Sequence, residues 1–319
     1  MKCLKCISLI AVLSFLLIAC GGGGGGGVPA LTYTGVGTQA VIDQNNVNEL
    51  TGGAFKGVST SGALTAIGVV QKDGNGGLTV LTLSQVLRKA VQNINISSNA
   101  GNMAVGVQES GSIPGLCGAN ATYNITVNDA TGDFSGFLSF NVCDMGGIVV
   151  TGGVSFSGGF DYAGNPTAFN LSFNYLSMND GVSSITSSGS MSMSFNGSTV
   201  NVAMSMLLRD DTSGYVYKIE NLAMNIQDTG TSEVLTISGR FYEPLYGYVV
   251  ISTPTPFIVI GYNQWPSSGL LMADGANGTW ATLEALSDAQ HCRVRADTIA
   301  NALDEAPDFT PPDIAWADI

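Results

Sequence analysis

From Gly101 onward, apolar and polar residues alternate with a period of two over long stretches. Phe169, Leu171, Phe173 and Tyr175 take turns with Asn170, Ser172 and Asn174. Val200, Val202, Met204, Met206 and Leu208 do so with Asn201, Ala203, Ser205 and Leu207. Tyr215, Tyr217 and Ile219 continue the pattern, then Leu222, Met224 and Ile226, then Leu235, Ile237 and Phe241. Such a period marks strands with one face buried and one in water. Between them stand Asn179-Asp180-Gly181, Asn196-Gly197-Ser198 and Asp210-Asp211-Thr212-Ser213-Gly214, turn-forming clusters that predict hairpins. No strand-helix-strand alternation appears, so consecutive hairpins predict an antiparallel meander rather than a parallel sheet. An open meander this long must curl or close.

One segment has a convincing helical period. From Ser84 to Ile94 the residues Val86, Leu87, Ala90, Val91 and Ile94 form an apolar stripe, with Ser84 placed to cap it and Gln85, Arg88, Lys89 and Gln92 on the other face. Before it, Ala63–Gln71 reads as a strand and residues 72–77 as a loop. Val28–Thr60, rich in Gly, Asn and Thr, reads as a poorly patterned lead-in with room for one strand. The expected architecture is all-β and mainly antiparallel: a long-stranded meander forming a strongly curved sheet or half-barrel, with the Ser84–Ile94 helix packed on its concave side. No boundary interrupts the pattern, so residues 30–319 read as a single β-rich domain with an acidic C-terminal tail.

The first twenty residues differ from the rest. Lys2 and Lys5 precede an uncharged apolar stretch from Ile7 to Ala19, too short to span a bilayer, which reads as an export signal. Its end, Leu17-Ile18-Ala19-Cys20, resembles the lipobox of bacterial lipoproteins. That resemblance implies that residues 1–19 are a signal peptide and that Cys20 is the lipidation site and mature N-terminus. Acyl chains such as palmitate then anchor the protein, each buried CH₂ contributing about 0.8 kcal/mol. Seven glycines, Gly21 to Gly27, follow. A run without side chains has nothing to pack and much entropy to lose if ordered, so residues 20–29 read as acylated Cys plus poly-Gly tether. Gly21, standing where Asp favours inner-membrane retention, implies by the same resemblance an outer-membrane address, on either its periplasmic or its surface face.

Charge narrows the partners. The 319 residues carry 11 basic and 24 acidic side chains, a net −13, and loss of the signal removes Lys2 and Lys5 but no acid, giving −15. Nucleic acid is excluded as a partner, and an anionic membrane surface repels such a chain, so membrane contact runs through the N-terminal lipid. With 45% hydrophobic residues the chain is too apolar for a disordered tail.

Three of the six cysteines, Cys3, Cys6 and Cys20, go with the signal or the lipid, leaving Cys117, Cys143 and Cys292. Cys117 and Cys143 border the strand-like segments Ala119–Asp129 and Phe134–Cys143, joined by Ala130-Thr131-Gly132-Asp133. A hairpin brings them together, and in an oxidising compartment they are expected to form a disulfide. Cys292 reads as a small buried residue. The run from Cys117 to Tyr162, including Phe140-Asn141-Val142-Cys143-Asp144-Met145-Gly146-Gly147, resembles a motif of uncharacterised, glycine-tethered proteobacterial lipoproteins. That resemblance carries an architecture and an address, and no activity.

Candidate chemistry is sparse. Met178, Met191, Met193, Met204, Met206 and Met224 fall mostly on the apolar phase of adjacent strands. Together they form either a soft face for a lipophilic ligand or an ordinary core beneath the helix. Thioethers also suit Cu(I), but His291 is the sole histidine, so no metal is assigned. Asp297, Asn301, Asp304 and Glu305 form a degenerate calcium-loop pattern in the acidic tail, with Ile299 and Ala302 at positions that need a ligand and a glycine. No Gly-x-Ser-x-Gly elbow accompanies His291, and Asp210-Asp211, the adjacent acid pair, falls in a turn signal. The reading is a non-enzymatic envelope lipoprotein without a cofactor, structural or binding a lipophilic ligand or another envelope protein. The alternatives are a membrane-inserted β-barrel, opposed by the helix, Pro311-Pro312 and the acidic tail, and third an envelope hydrolase.

Overall fold

The computed structural model describes residues 30–55, 107–112, 117–128, 131–144, 147, 149–160, 166–179, 181–182, 184–261, 263, 265–299 and 306–319. The signal, Cys20, the tether, the Ala63–Gln71 strand, the 72–77 loop, the Ser84–Ile94 helix, and Asn301, Asp304 and Glu305 lie outside these residues.

Among the described residues fourteen strands follow one another: β1 Val107–Ser112, β2 Ala121–Asn128, β3 Asp133–Asp144, β4 Val149–Phe160, β5 Pro166–Asn179, β6 Ser184–Asn196 and β7 Thr199–Asp210. The second half comprises β8 Val216–Asp228, β9 Ser232–Glu243, β10 Gly247–Ile260, β11 Ser268–Asp274, β12 Trp280–Ala285, β13 His291–Asp297 and β14 Ile314–Ala315. They form one sheet in strict chain order, every neighbouring pair antiparallel, with β1 and β14 as separate edges. The meander expected from the hairpin signals is therefore present, and it is open.

Alternation decides the faces. Phe169, Met193, Val202, Met224 and Ile237 stand in one cross-strand row from β5 to β9, and all are buried. On the opposite phase Ser155, Ser172, Ser190 and Ser205 form an exposed row from β4 to β7. The apolar face is the inside of a curved shell. Ile185 of β6 and Val294 of β13 line the same cavity, although seven strand spacings would put them roughly 34 Å apart in a flat sheet.

Bulges supply much of that curvature. Val142 in β3, Tyr175 in β5 and Asn221 in β8 adopt left-handed φ angles of 52°, 54° and 51°. Each advances the inward phase by one residue, so that Phe140 is followed inside by Cys143, Phe173 by Leu176 and Ile219 by Leu222. This corrects the expectation for Tyr175, which leaves the buried row to Leu176. Backbone groups at these breaks need other partners, and side chains supply some of them. The Ser187 hydroxyl donates to the Leu176 carbonyl (3.1 Å) and the Asn221 N–H donates to Ser205 Oγ (3.1 Å); at the separate register shift between β9 and β10 the Ile237 N–H donates to Thr253 Oγ1 (2.9 Å).

The start of the described chain corrects the lead-in reading. Residues 30–42 cross the end of the sheet at the β9–β10 and β11–β12 turns. There the Val36 N–H donates to Pro244 O (3.0 Å), Tyr248 N–H to Thr38 O (3.0 Å) and Ala40 N–H to Tyr248 O (2.8 Å). Residues 47–55 then form a helix, α1, where no helical pattern was expected. Val47, Leu50, Thr51, Ala54 and Phe55 are its buried face and Asn48 and Glu49 its exposed one. Phe55 packs on Phe257 and Trp316 at ring-centroid distances of 5.5 and 4.6 Å. The sheet thus carries one described helix on its apolar side, a different segment from the one the periodicity pointed to.

Candidate ligand cavity

Helix α1 is started by a reciprocal cap. Asp43 Oδ1 accepts the Asn46 N–H (3.0 Å) while Asn46 Oδ1 accepts the Asp43 N–H (2.9 Å), an arrangement that satisfies donors at the helix entrance. Near its end Gly53 lets the helix approach the sheet closely, since a Cβ there would lie 3.0 Å from the Phe241 ring. The helix therefore packs on the inner face of β9 and β10 and on Trp316 while leaving a space bordered by β6 to β9 on one side and β12 and β13 on the other.

That space is a cavity of about 590 Å³, within the usual range for small-ligand sites. One wall is Ile185, Leu208, Tyr217 and Phe241 from β6 to β9, the other Leu283 and Val294 from β12 and β13. Helix residues Asn48, Glu49, Thr51, Gly52 and Gly53 and the C-terminal Ile314, Asp318 and Ile319 complete it. Two acids are built into its sheet wall, Asp210 and Glu243. Both continue the inward phase of their strands, Asp210 after Met204, Met206 and Leu208, and Glu243 after Ile237 and Phe241. A carboxylate on an apolar phase was the sequence signal for this site, and reading Asp210 only as a turn residue missed it.

Glu243 is 5% exposed. Its Oε2 accepts the N–H groups of Leu245 (2.6 Å) and Tyr246 (2.9 Å) in the β9–β10 turn, and no basic side chain pairs with it among the described residues. Asp210 accepts the Ser213 hydroxyl (2.7 Å) and the Thr212 N–H (2.8 Å), which in that order hold its carboxyl below the usual carboxylate range. Burial, and then the charges of Glu243 and Asp210, push the Tyr217 hydroxyl above its ordinary value. The described charged side chains on the cavity lining, Glu49, Asp210, Glu243 and Asp318, are all acids. Every described basic side chain pairs elsewhere: Arg209 with Asp211, Lys218 and Arg240 with Glu220, Arg293 with Asp313, Arg295 with Glu284, and His291 with Asp288.

No family model, curated protein or solved structure matches this chain. Function is read from the site alone.

The residues singled out in the sequence fall as follows. Cys117 and Cys143 are disulfide-bonded, with Cα atoms 5.2 Å apart, at the ends of the β2–β3 hairpin. Cys292 is a buried free thiol, pushed up to about 12 by burial and then by the Asp313 charge, and so unsuited to be a nucleophile. Met191, Met193, Met204, Met206 and Met224 are buried on the inner face, Met178 is half-buried, and Met191 stands directly opposite Met204. None of the six lines this cavity; Met206 lies one row from Leu208, Met178 stands directly opposite the lining residue Ile185, and Met191, Met193, Met204 and Met224 lie farther along the strands.

The acid pair separates. Asp211 accepts from Arg209 Nε (2.7 Å), Ser184 Oγ (2.8 Å) and Thr186 Oγ1 (2.9 Å), whereas Asp210 belongs to the turn and the cavity. Asp288 faces His291 Nδ1 at 2.6 Å, and its other oxygen accepts the N–H groups of Gln290 and His291, which makes the pair part of a turn. Asp297 is buried and accepts the Ile299 N–H (3.1 Å). Among the described residues no group of three or more His, Cys, Asp or Glu is placed to hold a metal ion.

Proposed function

We propose that this chain is a lipid-anchored lipoprotein of the bacterial outer membrane that binds a small apolar ligand and performs no catalysis. The anchor is Cys20, followed by the glycine tether. The observation that carries the binding role is the cavity between α1 and the inner face of the sheet, because a folded domain ordinarily closes such a gap between apolar walls. The outward rows of Ser155, Ser172, Ser190 and Ser205 favour a water-facing outer surface over a lipid-facing barrel wall.

Two measurements test this. Metabolic labelling with an alkynyl palmitate should mark the wild-type protein and leave Cys20→Ser unmarked. For the ligand, the chain from residue 20 carrying Cys20→Ser is purified without detergent, extracted with organic solvent and analysed by mass spectrometry. An apolar molecule should co-purify at near-stoichiometric amounts and be lost when Val294→Trp fills the cavity. An extract free of any such molecule, with no uptake of added apolar probes, would overturn the binding role.

A further inference from the structure

We infer that the cavity selects a cationic amphiphile, a ligand with an alkyl or similar apolar body and a protonated amine, in preference to an anionic one such as a fatty acid. This rests on the binding role proposed above and adds the charge of the ligand to it. The apolar body has its counterpart in Leu208, Phe241, Leu283 and Val294. The amine has its counterpart in Glu243 and Asp210, which flank Tyr217 on the sheet wall, with Glu49 and Asp318 also on the lining.

Three observations set this apart from a chance gathering of acids. First, Glu243 stands on the wall of a cavity between apolar side chains and is withdrawn from solvent, where water screens charge less than at an open surface, while Asp210 is half-buried and Glu49 and Asp318 lie at the exposed rim. Second, Glu243 is buried, with two backbone N–H donors on Oε2 but no ion-pair partner among the described residues, so a bound cation supplies the counter-charge that is missing there. Third, none of the described residues that line the cavity is basic, so no described cation there pairs with a ligand carboxylate. A fatty acid would bring a further negative charge to a site that already holds several. An ammonium headgroup brings the missing one and donates hydrogen bonds to the carboxylates.

The experiment compares decylamine, decanol and decanoate, equal in chain length and different in charge, each below its micelle concentration, by isothermal titration calorimetry at pH 7. The protein is the chain from residue 20 with Cys20→Ser, which retains every described element. The amine should bind at least 10-fold more tightly than the alcohol, and the alcohol more tightly than the carboxylate. In a Glu243→Gln, Asp210→Asn double variant the amine's advantage over the alcohol should fall to about threefold or less. Unchanged decanol affinity in that variant shows that its cavity is intact. If the variant does not fold, the wild-type ranking decides alone. Decanol binding with decanoate equal to or tighter than decylamine would overturn the charge preference and leave the binding role standing. Failure of all three to bind would overturn both.

Discussion

Tyr175 of β5 holds a left-handed φ of 54° directly against Gly152 of β4, whose own φ is 120°. A Cβ on that glycine would overlap the Tyr175 carbonyl oxygen and crowd the Leu176 backbone. The two residues form one joint: the bulge pushes its carbonyl towards β4, and only a residue without a side chain leaves room for it.

Gly152→Ala should therefore destabilise the protein by roughly 2–4 kcal/mol, combining backbone strain with a steric clash. Gly181 offers the comparison, with a φ of 86° and open space around its Cα. Gly181→Ala should cost only about 1–2 kcal/mol, the conformational part alone. Urea denaturation of the two variants beside wild type measures both.

The Cys117–Cys143 bridge closes a separation of 26 residues, for which chain entropy gives about 3–4 kcal/mol. Cys117→Ala with Cys143→Ala should lower stability by that order. Non-reducing peptide mapping should find these two joined and Cys292 alone. With its thiol pushed up to about 12, Cys292 should react with iodoacetamide at pH 8 at least 100-fold more slowly in the native protein than in urea. Native labelling at the unfolded rate would contradict its burial.

Glu220 centres a surface network: it accepts from Lys218, from the Tyr242 hydroxyl (2.7 Å) and from Arg240 (3.2 Å), while Lys218 lies 4.4 Å over the Tyr242 ring. These donors, Lys218 first and then Tyr242, bring its carboxyl from 4.5 down to about 2. A depressed carboxyl stabilises the folded state fully above its unfolded value and loses that contribution as pH falls towards the folded one. Glu220→Gln should cost roughly 1–2 kcal/mol at pH 7, reduced for its partial exposure. The gap between variant and wild type should narrow between about pH 4.5 and pH 2. Urea titrations at pH 7, 4.5 and 3 follow it.

Met204 is 3% exposed and stands between Met191 and Leu222 on the inner face. Met204→Leu preserves volume and apolarity and should cost less than about 1.5 kcal/mol. Met204→Glu places an unpaired charge among apolar neighbours, costs several kcal/mol and should leave a chain with no thermal unfolding transition. Thermal melts followed by circular dichroism separate the two outcomes.

The meander, its hairpins and the inward phase of β6 and β7 were legible because period and turn chemistry agree there, as in Met191 and Met193 before Asn196-Gly197-Ser198. Bulges were not. Nothing in Asn174-Tyr175-Leu176 marks the extra residue, since aromatic and aliphatic side chains serve either phase, and only the paired Gly152 on the next strand hints at it. Helix α1 escaped notice because Gly52 and Gly53 lower helix propensity in a nine-residue segment whose stability comes from packing. The cavity was hidden for a similar reason. It takes shape only when β6 to β9 and β12 to β13, far apart along the chain, face each other across the curl.

The strict neighbour-to-neighbour order of the strands also sets a schedule for assembly. Each hairpin from β1 onward closes a short loop and can form as soon as its two strands exist, the inexpensive kind of contact in folding. Thr38 and Ala40, by contrast, hydrogen-bond to Tyr248, and Phe55 packs on Phe257 and Trp316, contacts about two hundred residues or more along the chain. A chain delivered N-terminus first presents α1 long before its docking surface has been made. Helix α1 thus waits for β9, β10 and Trp316 before it can dock, and the cavity cannot close until the chain is nearly complete.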